Sequence, residues 1–146
     1  KTAQAGITAV IGIFGLAWLG DTFIKGNEAV IIGALSAMVK AYPITFILGL
    51  FFASVLLFSQ AATTRTMMPL GISLSIPAKY LAAAWPAVNG YFFLPTYGTL
   101  IAAINFDRSG TTGIGKYILN HSFMLPGLIA TITSVVVGLV IARVVF

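Results

Sequence analysis

The chain has 146 residues, 59% of them hydrophobic and 8% charged, with a formal charge of +5. A mean hydropathy of +1.03 excludes an ordinary soluble domain. Three acids, one histidine and no cysteine exclude a metal cage, a thiol nucleophile and a credible catalytic triad, so no catalytic residue is assigned, and basic residues scattered singly exclude a nucleic-acid groove.

In lipid only helices or closed barrels satisfy every backbone N–H and C=O. Stretches such as "SVVVGLVIARVVF" lack the period-two alternation of barrel strands, so the fold class is all-α, a polytopic membrane protein forming one unit over residues 1–146. The apolar sequence begins almost at Lys1, without a basic start or a small-residue cleavage site, which reads as one piece of a longer polypeptide.

Thr2 to Leu19 is long enough for a first crossing, with Trp18 either at the interface or packed internally, and "GDTFIKGN" breaks it near Gly20. Asp21, beside that break, is the candidate for carrying a proton or helping to bind sodium, the alternative being an N-cap. "EAVIIGALSAMVKAY", with Glu28 and Lys40 near its ends, reads as a helix lying at the interface.

From Pro43 to Phe58 the chain is strongly apolar but short of a full crossing, as is "TMMPLGISLSI", which Pro77 ends. Between these arms lies a polar tip within "SQAATTRTMMP". Two short arms around a polar tip predict a re-entrant helical hairpin. Residues 78–106 form the next apolar segment, in which Pro95 and Gly98 should split a helix into two halves. A loop "DRSGTTGIGK" comes next, in which Asp107 and Arg108 are expected to form an exposed pair, and a last crossing runs from Tyr117 to Val145. Arg108 and Lys116 favour a cytoplasmic loop and an external C-terminus. The glycines of "GTTGIG" have the wrong spacing for a dinucleotide fingerprint.

Helix starts expose unpaired N–H groups and the positive dipole end, and a hairpin tip and a broken helix each supply one. Such starts bind anions at the midplane of transporters, while unwound carbonyls hold coupling cations. Ser59, Gln60, Thr63 and Thr64 at the tip, with Asn89, Thr96 and Thr99 at the break, have hydroxyls and amides suited to two carboxylates. Arg65, just past the tip, would pair with a substrate carboxylate or snorkel to an interface. His121 is read as an interfacial hydrogen-bonder.

"AWLGDTF", "LLFSQAATTRTMMPL", "FFLPTYGTLIAAINFDRSGTTGIGKY" and "LNHSFMLPG" resemble, in order and over nearly the whole chain, the carboxy-terminal half of the Dcu family of bacterial anaerobic four-carbon dicarboxylate transporters. That family is similar to a wider ion-transporter superfamily whose inverted repeats each hold a hairpin with a Ser-Asn-Thr signature and a broken helix with a Thr-Pro-rich centre. Ser59 and Gln60 then stand at the Ser and Asn positions, whereas Ala61 departs from the Thr, so Thr63 or Thr64 would replace that hydroxyl at a sodium site. Pro95 and Thr96 fall in the unwound centre, and Arg65 matches a basic position, favouring carboxylate binding.

The resemblance implies fumarate, succinate, malate and aspartate as substrates, moved by exchange or with a sodium ion or proton, through elevator-like alternating access across the bacterial inner membrane. No cofactor is implied. It implies one half of an inverted-repeat transporter, with the other half in the same polypeptide or a second chain, and it leaves a homodimer open. The first and last crossings are the expected fixed part. Competing readings are a non-transporting structural subunit of a larger membrane complex and, more weakly, an ion channel.

Overall fold

The computed structural model describes residues 45–95 and 97–145, with interspersed positions 3, 4, 6–8, 10, 11, 14, 15, 18, 22, 26, 27, 29, 30, 33, 34, 37 and 38. The first crossing and the interfacial helix therefore lie largely outside the described residues. Five α-helices lie beyond residue 45: α1 (Phe46–Leu57), α2 (Gln60–Ser73), α3 (Ala78–Ala84), α4 (Gly98–Phe106) and α5 (Met124–Val144). A 3-10 segment, Trp85–Phe92, continues α3. Among the described residues no strand forms, and only an isolated antiparallel bridge joins Ile114 to His121.

The polar stretch after α1 folds differently from the expected tip. Most of it is helix. Phe58 takes a left-handed conformation (φ 49°), Ser59 is extended (φ −150°), and α2 begins at Gln60. Ser59 is the reason: its carbonyl accepts the first intrahelical bond, from the Thr63 N–H at 3.0 Å, and its hydroxyl accepts the Ala62 N–H at 3.2 Å, a donor that a helix start otherwise leaves open. The turn thus shrinks to Phe58 and Ser59. Pro69 sits inside α2 and cannot donate the intrahelical bond that the Arg65 carbonyl would otherwise receive.

α1 and α2 are antiparallel. At Gly71, late in α2, an added Cβ would lie 2.8 Å from the Phe46 ring and 2.5 Å from Leu81, so the end of α2 meets the start of α1 and the body of α3. α3 and the 3-10 segment then run alongside α1, reaching the level of the Phe58–Ser59 turn at Asn89 to Phe93. Phe46, Leu50 and Ala53 of α1 bury against Met67 of α2, Leu81 and Ala84 of α3, Ala87 and Val88 of the 3-10 segment and Val135 of α5.

The split in the apolar segment of residues 78–106 occurs as expected. Helical structure ends at Phe92, Pro95 lies buried in a turn, and α4 begins at Gly98 with no side-chain cap. The unwinding starts earlier than Pro95 alone requires. Trp85 to Phe92 is already 3-10, and Asn89 (φ −89°, ψ 16°) leaves helical geometry.

α5 is the one described helix long and apolar enough to cross a membrane, at 21 residues. It starts at Met124, not at Tyr117 as the sequence suggests. Pro126 stands in its first turn, where a missing N–H costs nothing, but the proline ring would clash with the Ser122 carbonyl if the helix continued upstream. Residues 120–122 instead bond across the loop: Gly115 N–H to the Asn120 carbonyl at 2.6 Å and Ser122 N–H to the Gly113 carbonyl at 3.1 Å. α5 runs antiparallel to α3, Gly138 facing Ala83 and Gly127 facing the Phe92 ring. Its remaining surface exposes Ile129, Ile132, Val136, Val137 and Val140, an apolar face suited to lipid.

The expected Asp107–Arg108 pair does not form. Asp107 accepts instead from Ser109 N–H (2.8 Å) and hydroxyl (2.5 Å), from Thr112 N–H and hydroxyl (both 2.8 Å), and from the Thr111 hydroxyl (3.4 Å). These donors, the Ser109 hydroxyl foremost, hold its carboxyl far below the usual carboxylate range.

Candidate functional site

The turn between α1 and α2 and the break after the 3-10 segment lie at one level and are joined by side chains. Gln60 Nε2 donates to Asn89 Oδ1 and, at 3.3 Å, to the Tyr91 hydroxyl. Tyr91 carries the link across the break, its ring 4.5 Å from that of Tyr97, the residue that precedes α4. One turn further along α2, Trp85 Nε1 donates to Thr64 Oγ1 at 3.1 Å. The two polar interruptions are thus neighbours.

The direction of this network is fixed by an atom that can only accept. The Pro86 carbonyl takes Asn89 Nδ2 at 3.1 Å, which turns Asn89 Oδ1 toward Gln60 and requires Gln60 to present its amide nitrogen. Both hydrogens of that nitrogen are then occupied, by Asn89 and Tyr91. Tyr91 is left as an acceptor whose own O–H has no partner among the described residues.

Two helix starts flank the cluster. At α2 the N–H groups of Gln60 and Ala61 lie outside the Ser59 cap; at α4 Leu100 and Ile101 both donate to the Tyr97 carbonyl at 3.1 Å, while Gly98 and Thr99 have no backbone acceptor among the described residues. Open donors with a positive dipole end can receive an anion.

Ser54 holds the 3-10 segment in place. It is fully buried, accepts the Gly90 N–H at 2.8 Å and donates to the Phe51 carbonyl at 2.7 Å. Gly90 has no room for a side chain: an added Cβ would lie 2.7 Å from both the Phe51 oxygen and Ser54 Oγ. Phe51 also packs edge-on against Phe93, with ring centroids 5.6 Å apart. These contacts fix the backbone between Asn89 and Tyr91.

The sequence-derived site residues divide accordingly. Ser59, Gln60, Thr64 and Asn89 are in or beside the cluster. Thr63 is fully buried beneath the turn, its hydroxyl donating to the Ser59 carbonyl at 2.7 Å. Arg65 and Thr99 are exposed, Arg65 with no ion pair among the described residues, and Pro95 is buried at the break. Thr96 and Asp21 lie outside the described residues.

Residues that sequence reasoning passed over are Ser54, Tyr91 and Tyr97. His121 is buried, its Nε2–H donating to the Phe93 carbonyl at 3.4 Å and its Nδ1 accepting the Phe123 N–H at 3.3 Å, so it pins the loop before α5 to the break. Ser54 had one available signal, a lone hydroxyl in an otherwise apolar helix.

Beside the cluster, a cleft of about 420 Å³ separates the 3-10 segment from α5 and is lined by Asn89, Tyr91, Thr131 and Ser134 among others. Ser134 is the central residue of the 21 in α5.

A family model described as an anaerobic C4-dicarboxylate membrane transporter matches residues 1–146. The C4-dicarboxylate transporter DcuA of Wolinella succinogenes is 43% identical over 97% of this chain, and that of Escherichia coli K12 is 42% identical over 97%. The anaerobic C4-dicarboxylate transporter DcuB of Escherichia coli O6:H1 is 40% identical over 95%. The chain spans about a third of the length of these relatives, 31–33%, and matches their carboxy-terminal part. No solved structure matches it. The relatives are transporters, and their family is not enzymatic.

Proposed function

We infer, from a chain that belongs to the anaerobic C4-dicarboxylate membrane transporter family, that it forms one side of a dicarboxylate site in a multi-pass secondary transporter of the bacterial inner membrane. The observation that carries this reading is the Gln60–Asn89–Tyr91 cluster, which unites the α1–α2 turn with the break before α4.

Depth supports it. A helix rises ~1.5 Å per residue, so 21 residues span ~31 Å, about the hydrocarbon thickness. The cleft beside the cluster is lined on α5 by positions from Pro126 to Ser134. Those lie ~3 to ~15 Å from the helix start, between an interface and the midplane. A turn at that depth, with arms of 12 and 14 residues, has the proportions of a re-entrant hairpin. The open N–H groups of α2 and α4, the hydroxyls of Ser59, Thr64, Thr96 and Thr99 and the second amide hydrogen of Asn89 receive the substrate's carboxylates, while Gln60 holds Asn89 and Tyr91 in place. Thr63 supports the turn from below and Pro95 keeps the helix open. Arg65 attracts the doubly negative substrate, and Asp21 is the candidate for the coupling sodium ion or proton.

The substrates are four-carbon dicarboxylates such as fumarate, succinate, malate and aspartate, exchanged or cation-coupled. The rest of a full-length transporter supplies the opposing inverted half, and the assembly can pair as a homodimer. Alternating access moves the site-bearing helices against a scaffold in elevator fashion. α5 lies against α3 and the 3-10 segment through Gly138 and Gly127, which favours its travelling with the site rather than standing as scaffold.

Proteoliposomes carrying the protein should exchange external for internal labelled succinate, and an imposed sodium gradient should drive net uptake if sodium is the coupling ion. Arg65→Ala should weaken uptake of dicarboxylates while leaving membrane insertion intact. Absence of exchange by the intact protein rejects the transport reading, and unchanged apparent affinity in the variant removes Arg65 from the site.

A further inference from the structure

The cleft between the 3-10 segment and α5 contains hydrogen-bonding capacity that the fold leaves unspent. Thr131 is 9% exposed, lines the cleft, and its hydroxyl has no hydrogen bond among the described residues, although a buried hydroxyl without a partner is costly. Ser134, one turn on, lines the same cleft with a hydroxyl likewise unengaged. From the opposite wall comes Tyr91, which accepts from Gln60 and still has its own O–H to donate. A hydroxyl that accepts one hydrogen bond becomes a better donor in the next.

We propose that this cleft is a carboxylate subsite, in which the hydroxyls of Tyr91, Thr131 and Ser134 donate to one carboxylate of a dicarboxylate. The proposal rests on the transport reading above and adds a helix, α5, that the hairpin-and-break site does not use. The chemistry favours an anion: the Tyr91 oxygen already accepts from Gln60, and its O–H is still free to donate into the cleft. The lining includes no lysine or arginine. Neutral donors hold a carboxylate through directional bonds without the persistent attraction of a buried cation, so the guest can also leave.

The test is inhibition of labelled succinate exchange in proteoliposomes of the intact protein by succinate and by butyrate, which keeps four carbons but has one carboxylate. Tyr91→Phe and Thr131→Val should each raise the half-inhibitory concentration of succinate about tenfold, the usual scale for one bond to a charged group, and leave that of butyrate unchanged. Thr131→Ser, which keeps the hydroxyl, should restore succinate to near the parental value. Where Thr131→Val does not assemble in the membrane, Ser134→Ala, at an exposed position of α5, gives the same comparison.

Equal weakening of succinate and butyrate, or unchanged succinate inhibition in Tyr91→Phe, overturns the subsite. An intact protein that exchanges succinate while these variants keep parental selectivity rejects the cleft alone. An intact protein that exchanges none rejects the transport reading, and the subsite with it.

Discussion

Ser54 is a small hydroxyl inside a helix of leucines and phenylalanines, and the unwound segment leans on it. Removing its Oγ leaves the buried Gly90 N–H without an acceptor, a loss of about 1–3 kcal/mol. Ser54→Ala should therefore lower the thermal midpoint of the detergent-solubilised protein while keeping its helix content. Gly90→Ala should destabilise at least as much, because a methyl there meets the Phe51 carbonyl oxygen, which is backbone and cannot rotate away. A midpoint unchanged in both variants would mean that the 3-10 segment is not held from α1. The side chains flanking Gly90 are Asn89 and Tyr91, so displacement of this backbone is also displacement of the candidate site.

Among elements, the loop from α4 to α5 shows how a charged residue can be structural. Asp107 ends α4 and gathers the Ser109 and Thr112 amides and hydroxyls, and its folded carboxyl is depressed, which sets the sign of the pH dependence. Ionised Asp107 favours the folded loop at every pH above its unfolded value of ~3.9, and the contribution is lost only as pH falls below that toward the depressed folded value. The group is exposed, so solvent screens the effect. Asp107→Asn should speed hydrogen exchange at the Ser109 and Thr112 amides at neutral pH, whereas the parent's exchange, corrected for intrinsic rate, should stay constant from pH 8 down to about 5. Equal protection in parent and variant would show that the loop is ordered by other contacts, such as the His121 bond to Phe93.

For the whole molecule, the question is which helices move together. Gly138 faces Ala83, and an added Cβ there would lie 3.4 Å from the Ala83 Cβ, at the close edge of disulfide reach. The chain has no cysteine of its own, so Ala83→Cys with Gly138→Cys should form one defined crosslink on mild oxidation. Succinate exchange should survive the crosslink if α5 and the broken helix travel as one body. Loss of exchange that reductant restores would instead assign α5 to the fixed part, as the sequence suggests.

Sequence by itself determined the features that local chemistry dictates. Hydropathy demanded helices in lipid, Pro95 and Gly98 demanded a broken helix, and the polar stretch after Phe58 predicted a tip between two short arms, where the chain instead begins α2. The ordered blocks around "SQAATTRTMMP" and "FFLPTYGT" sufficed to reach the family. What only the tertiary structure decided depends on contacts between residues far apart in the chain. The 3-10 winding of Trp85–Phe92 answers to Ser54, 36 positions before Gly90. The unspent proton of Tyr91 depends on Gln60, and the cleft depends on α5 lying beside the 3-10 segment. Side-chain partnership across such separations has no periodicity to read, since it is set by which helix faces meet, and that is fixed only when the apolar surfaces have been buried against one another.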